Sequence, residues 1–222
     1  MTNLLDLFIF DLAGTTVVDD GQVLLAFERC AAAFGLPADR TTLRARMGWH
    51  KRKVFQSLLE ENAADARLAE AMAERFEQEF AAAAAEHPLR PYEGADELLA
   101  SLTAAQVEVA FNTGFSRRTA DFVLEALHWR SFVSVAADEV MRGRPAPDLI
   151  LRAMELSGVS DPRRVGVVGD TPSDLQAGTA ASCRFVVGIG HGSHTLAELE
   201  HAPHTHLVPS LRSLRELIDD QQ

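Results

Sequence analysis

The sequence predicts an α/β protein, a doubly wound parallel sheet interrupted by an all-helical insertion, and three features carry that expectation. Short unbroken apolar runs recur along the chain, as in strands buried on both faces. Helical patterns fill the intervals between most of them and are long enough to return the chain parallel. The stretch 23–86 breaks this alternation, with alanine-rich helical patterns and no convincing strand. Taken in order, the first strand is 7–10, and helices follow at 23–33, 41–47, 51–59 and 66–85, the last favoured by the alanine run 81–85. Pro88, Pro91 and Gly94 punctuate the return to alternation. A helix at 95–104, a strand at 107–111, a helix at 118–127, a weaker strand at 132–136 and a helix at 148–156 come next, before strands at 165–168 and 185–189. The expected division is therefore an α/β core of residues 1–20 and 89–222 with a helical cap domain at 21–88.

Composition narrows the function classes. With 47% hydrophobic and 24% charged residues, the 222-residue chain can bury a sizeable core. A formal charge of −11 disfavours nucleic acid as a partner and a basic membrane-surface patch. The apolar stretch 4–10 is broken by Asp6 and falls far short of the ~20 residues of a membrane span. It also lacks the basic flank and small-residue cleavage site of a secretion signal, so a cytoplasmic location is expected. Cys30 and Cys183 show no ligand spacing and suit small buried thiols, neither disulfide nor zinc site. Of 21 basic residues only Lys51 and Lys53 are lysines, which makes them the chain's two side-chain primary amines.

The chemistry-bearing residues gather at expected carboxyl ends of strands, where ligand sites of such sheets form. The first strand runs into Asp11-Leu12-Ala13-Gly14-Thr15-Thr16, and a later one into Gly169-Asp170-Thr171-Pro172-Ser173-Asp174. Two acidic edges can meet around one cation, and Mg²⁺ is the natural candidate because it takes hard oxygen ligands, often one or two carboxylates with substrate oxygens. Between them lie Asn112-Thr113-Gly114-Phe115 and Gly143-Arg144-Pro145, a hydroxyl and a permanent cation able to hold a phosphoryl group. Singly, each suits a turn, a helix cap or a solvated charge.

In this order, the four motifs resemble those of the haloacid dehalogenase superfamily across the full length of the chain. The resemblance implies a nucleophilic Asp11 that accepts a phosphoryl group as an aspartyl-phosphate, with Thr113 and Arg144 completing the catalytic set. It implies Mg²⁺ held by Asp11, the Ala13 carbonyl and Asp170, with Asp174 binding the metal or orienting its water. Carboxylate attack divides one difficult displacement into two easier steps.

Ala13 departs from the common phosphatase pattern Asp-x-Asp, whose second aspartate protonates the leaving oxygen and activates water. Alanine transfers no proton. The string Asp11-Leu12-Ala13-Gly14-Thr15 looks like the phosphonatase branch, whose members cleave a C–P bond after an amine converts the substrate carbonyl to an imine. Met47-Gly48-Trp49-His50-Lys51 is similar to the Met-Gly-x-x-Lys motif that carries that amine, which points to Lys51. Arginine could not replace it, since guanidinium stays protonated. Positive charge from Arg52 and Lys53, with desolvation, is expected to lower the Lys51 pKa, and His50 could aid proton transfer. Lys53, about 200° around a helix from Lys51, should face elsewhere. Thr15, Met47, Trp49, His50 and Gly114 are the expected substrate contacts. Val54 and Phe115 stand where the better-known phosphonatases carry histidine and tyrosine, so proton shuttling must differ or use water. A phosphoglycolate-type phosphomonoesterase remains an alternative, and a catalytically impaired binding protein a further one. A small phosphorylated or phosphonate substrate is the expected partner, and capped relatives suggest a homodimer through the cap. His201, His204 and His206 read as a strand edge, and Gly188-Ile189-Gly190-His191-Gly192 as a flexible turn rather than a nucleotide loop.

Overall fold

The computed structural model describes residues 5–220; residues 1–4 and 221–222 of the expected core, including Leu4 of the apolar N-terminal stretch, lie outside the described residues. Six strands form one parallel sheet: β1 (Leu7–Asp11), β2 (Glu108–Thr113), β3 (Val133–Ala136), β4 (Val165–Gly169), β5 (Phe185–Ile189) and β6 (His206–Val208). Their order is β3-β2-β1-β4-β5-β6, so the doubly wound α/β class read from the sequence is the class observed. The chain winds outward from β1 in one direction and then from β4 in the other. A crevice therefore opens outside the carboxyl ends of β1 and β4. Asp11 is paired with Asn112 in the ladder, and Asp170 immediately follows β4.

Alternation along β1 divides the core between the two faces. Leu7 and Ile9 join Val165 and Val167 against α7 (Asp148–Leu156) and α8 (Pro172–Ala180). Phe8 and Phe10 join Val109 and Phe111 on the face covered by α5 (Ala95–Ala104), α6 (Arg117–Ala126) and α10 (Leu211–Asp219). Burying each such side chain contributes roughly 1.5–3 kcal/mol.

Between β1 and α5 the helices are α1 (Gln22–Ala33), α2 (Arg40–Ala45), α3 (Lys51–Glu61) and α4 (Ala69–Glu86). The expected helix at 66–85 opens as a separate 3₁₀ turn, Ala66–Leu68, capped by Asp65, which accepts a hydrogen bond from the Arg67 amide. Phe27 of α1, Phe55 of α3 and Phe76 of α4 pack together with ring centroids 4.7–6.2 Å apart. Their cluster is continuous with Phe115 and the aromatic face of the sheet, so the helical layer and the core share one apolar interior. Three helices that the sequence reading did not place, α8, α9 (Leu196–Leu199) and α10, complete the chain, each opened by a Thr or Ser whose side chain accepts from a first-turn amide. Among the described residues, no helix is long and apolar enough to cross a membrane.

Candidate active site

Asp11 ends β1, and the residues after it fold straight back. The amides of Thr15, Thr16 and Val17 all donate to the Leu12 carbonyl, at 3.2, 3.0 and 2.8 Å, while Thr16 Oγ1 donates to the Asp11 carbonyl at 2.8 Å. This turn holds the Asp11 carboxyl at the sheet edge. Arg144, only 1% exposed, crosses beneath it. Its Nη2 donates to Asp11 Oδ1 at 2.7 Å and to the Asn112 carbonyl at 2.8 Å, and its Nη1 lies 2.7 Å from Asp174 Oδ1. Arg144 is thus an internal partner of the carboxylates rather than a solvated surface charge.

Asp174 uses its other oxygen locally. Oδ2 accepts from the Thr171 amide at 3.0 Å and from Thr171 Oγ1 at 2.6 Å, closing a capping box at the start of α8. Both of its oxygens have protein partners, and as placed Asp174 positions Arg144 and the loop after β4. The Thr15 hydroxyl donates to Asp170 Oδ1 at 3.1 Å and so holds a second carboxylate.

Asp170 is fully buried, and its Oδ2 accepts from the Ser193 amide at 2.6 Å. That amide belongs to the loop after β5 that sequence reasoning set aside as a flexible turn. The loop is instead built into the site: His191 Nε2 lies 3.0 Å from the Thr15 carbonyl, and its ring stacks on Tyr92 at 3.8 Å. A glycine-rich segment at the carboxyl edge of a neighbouring strand was the available signal.

Asp11, Asp170 and Asp174 together face the one guanidinium of Arg144. Burial holds the carboxyls of Asp11 and Asp170 above the ordinary carboxylate range; at Asp11 the attraction of Arg144 opposes this and repulsion from Asp174 adds to it, while at Asp170 repulsion from Asp11 and Asp174 adds to it and the Ser193 hydrogen bond opposes it. A hard cation would relieve that excess of negative charge. Among the described residues, no three His, Cys, Asp or Glu side chains converge closely enough to hold an ion unaided. Mg²⁺ commonly binds through one or two carboxylates and keeps water and substrate oxygens for the remaining positions, and Asp11 and Asp170 are the carboxylates that would hold it here.

Lys51 opens α3 and points inward, 8% exposed, whereas Lys53 is exposed with its Nζ 4.9 Å from the Trp49 ring. The two amines do face apart. Among the described residues Lys51 forms no ion pair within 4.0 Å; instead its Nζ sits 4.9, 5.4 and 5.6 Å from the ring centroids of Phe115, Phe27 and Phe76. Two rings come from the helical layer and one from the core, so their docking builds the cage. Desolvation lowers the Lys51 pKa to about 8, with attraction to Asp11 opposing and Arg144 adding to the drop. The positive charge responsible is Arg144, not the expected Arg52 and Lys53. Asp19, which the sequence reading overlooked, also lies in the field of Lys51 and is fixed by the amides of Gly21 and Val23 at 3.1 and 3.2 Å.

The remaining expected residues separate into backbone and packing roles. Gly48 adopts φ +82°, and a Cβ there would meet Thr171 Oγ1 and Ser173 Oγ at 2.8 Å; a Cβ on Gly114 would meet the Gly48 and Trp49 carbonyls at 2.7 Å. The turn before Lys51 thus rests directly on the loops after β2 and β4. Met47 is buried in the apolar cluster, and Trp49 packs against it under Lys53. His50 accepts from the Arg52 amide through Nδ1 at 3.1 Å, capping α3, and burial lowers its pKa. Thr113 Oγ1 accepts from the Phe115 amide at 3.2 Å. Ala13 presents a half-buried methyl beside Val17, Val18 and Phe115, and Val54 is wholly buried, so neither position offers a proton. Arg44 adds a link the sequence did not suggest: its guanidinium donates to the Ser193 carbonyl at 3.0 and 2.8 Å and reaches Glu198 at 3.1 Å. The three terminal histidines do not converge: His201 and His204 bond to the nearby Ala197 and Ala202 carbonyls, and His206 stacks on Phe185.

The chain is similar to known proteins over most of its length. The model of the haloacid dehalogenase-like hydrolase family matches residues 5–182. A phosphonoacetaldehyde hydrolase from Bacteroides fragilis is 30% identical over 223 aligned positions, covering 93% of this chain and 83% of that protein. An N-acetylmuramic acid 6-phosphate phosphatase from Pseudomonas aeruginosa is also 30% identical, over 79% of this chain and 78% of its own. The chain spans about half the length, 51%, of the Bacillus cereus phosphonoacetaldehyde hydrolases it matches at 33% identity. Among solved structures, a hydrolase from Pseudomonas syringae superposes with a TM-score of 0.87 at 26% identity, covering 96% of this chain and 97% of that one.

Proposed function

The chain belongs to the haloacid dehalogenase-like hydrolases, and we propose that within them it is a phosphonatase-like enzyme that cleaves the C–P bond of a small carbonyl-bearing phosphonate. The observation that carries this is a buried amine, Lys51, without an ion-pair partner among the described residues and in the electrostatic field of a nucleophile-motif carboxylate whose neighbouring acid is replaced by Ala13. A phosphate ester offers no carbonyl for such an amine to condense with, and burying the amine costs stability.

The neutral Lys51 amine adds to the substrate carbonyl and, with loss of one water, forms an imine. Protonated, that nitrogen is an electron sink. As the phosphoryl group transfers to an Asp11 oxygen, the C–P electron pair moves into the iminium and leaves an enamine on Lys51. No oxygen leaves, so no acid is required where Ala13 stands. Protonation at carbon and addition of water then release the carbonyl product and restore Lys51, while a second water hydrolyses the aspartyl-phosphate. Arg144 fixes the Asp11 carboxyl and offsets its charge. The phenylalanine cage excludes water from the amine and keeps a useful fraction of it neutral at physiological pH. Family members generally use Mg²⁺; here Asp11 and Asp170, with the Ala13 carbonyl, would hold it, and it would supply neutralisation of phosphoryl charge.

The relative that hydrolyses a phosphate ester keeps a phosphomonoesterase in view as the second activity. Phosphate release from small 2-oxoalkylphosphonates, 2-oxoethylphosphonate among them, and from phosphate esters of matched size, with wild type, Lys51→Arg and Asp11→Asn, separates the two. Loss of phosphonate turnover in both variants supports the proposal. Ester turnover that survives Lys51→Arg, with no phosphonate turnover in wild type, overturns it.

A further inference from the structure

Beside Lys51, between α3, α4 and the loop after β2, lies a cavity of about 170 Å³. Lys51, Gly114 and Ser116 line it together with the carboxylates of Glu74, Glu77 and Asp138. Asp11 does not line it. A carbonyl carbon bonded to Lys51 has its phosphorus-bearing arm directed to Asp11, so its other substituent must lead elsewhere, and this cavity is the space that Lys51 itself borders. The wall carries four carboxylates, those of Glu70, Glu74, Glu77 and Asp138, against the cations Lys51 and Arg52. Glu77 accepts from Ser116 Oγ and lies 4.0 Å from Arg118 Nη1, Asp138 Oδ1 accepts from the Arg117 amide at 2.8 Å, and Arg52 is paired with Glu70 at 3.2 Å, so the wall keeps a net negative charge. Glu74 has no ion pair within 4.0 Å among the described residues, and its side chain is exposed at the rim. Burial keeps His50, also on the wall, toward its neutral form.

We propose that this cavity receives the part of the substrate beyond the carbonyl and selects a proton-donating substituent, hydroxyl or ammonium, while rejecting a carboxylate, an inference that rests on the imine chemistry proposed above. A donor there finds carboxylate acceptors already in place. An apolar group leaves those acceptors without a partner, and a carboxylate meets like charge. The substrate class is therefore 2-oxoalkylphosphonates with a hydroxymethyl or aminomethyl group on the carbonyl, larger than the two-carbon aldehyde.

The test is a series R–CO–CH₂–PO₃²⁻ with R as H, CH₃, CH₂OH, CH₂NH₃⁺ or COO⁻, read as kcat/KM for phosphate release and as borohydride-trapped adduct on Lys51 by mass spectrometry. Hydroxymethyl and aminomethyl compounds should exceed the methyl compound by about tenfold or more, and the carboxylate should fall below it by a similar factor. Glu77→Gln and Glu74→Gln should each shrink the ratio of aminomethyl to carboxylate turnover; Glu74 is exposed, so its variant folds even if the Glu77–Ser116 contact proves structural. A compound with R as H, CH₃ or COO⁻ that is turned over best, or a ratio unmoved in both variants, would overturn the pocket assignment while leaving the imine chemistry standing. Absence of turnover and of adducts across the whole series would instead remove the imine chemistry, and the pocket assignment with it.

Discussion

Replacing Lys51 by methionine should stabilise the protein while abolishing its chemistry. Burial and Arg144 lower the Lys51 pKa from 10.5 to about 8, against attraction to Asp11 and Asp19. At about 1.4 kcal/mol for each tenfold change in proton affinity, that drop amounts to about 3 kcal/mol withdrawn from the fold near neutrality. The sign follows from linkage. Between pH 8 and 10.5 the unfolded chain holds the Lys51 proton and the folded chain has released it, so stability rises with pH through that window. The penalty is fully present below pH 8 and gone above 10.5. Methionine fills similar volume among Phe27, Phe76 and Phe115 without a charge to desolvate. Thermal unfolding in metal-free buffer should therefore show Lys51→Met melting about 6–12 °C above wild type at pH 7, with the gap closing by pH 10.5. A variant no more stable than wild type at pH 7, or a gap independent of pH, would refute the picture of a charged amine held under strain for function.

The same pKa makes imine formation alkaline-dependent: the rate of borohydride-trapped adduct should rise through about pH 8 and level off above it, whereas a flat profile from pH 6 to 10 would deny that the neutral amine limits the step. Arg44→Ala removes a surface contact worth about 1 kcal/mol at most, so the fold should survive while the Ser193 amide exchanges hydrogen about fivefold faster; unchanged exchange would show that the helical layer does not brace the Asp170 loop. Ala13→Asp supplies the proton donor an ester leaving group needs and should raise phosphate-ester turnover about a hundredfold. No gain, in a variant that still folds, would place the missing acid elsewhere.

Much of this architecture was legible because its signals are local. Leu7–Asp11, Phe185–Ile189 and Val165–Gly169 are apolar runs that no amphipathic helix would contain, and Asp148–Leu156 carries strong helical periodicity. The helix Pro172–Ala180 went unplaced because its residues are small and nearly uniform in polarity, leaving only the Thr171 to Asp174 capping box as a marker. In the site, Asp11, Arg144, Asp170 and Lys51 stand out through the order of the motifs that carry them: Asp11 ends a strand, Asp170 follows one, Lys51 opens a helix, and Arg144 lies in the loop between β3 and α7. Pairing was not legible. Nothing local distinguishes Thr15 as a partner of Asp170, or Phe27, Phe76 and Phe115 as one cage, because those contacts form only when β1, β2 and the helical layer meet. The Ser193 amide is hidden for the same reason, being a backbone group whose role comes from where the loop after β5 is laid down.

With only two side-chain amines in the chain, peptide mapping after borohydride treatment with 2-oxoethylphosphonate tests the central chemistry most directly. A reduced adduct on Lys51, absent from Lys53 and absent without borohydride, is the predicted result; phosphate released from the phosphonate with Lys51 left unmodified would contradict it.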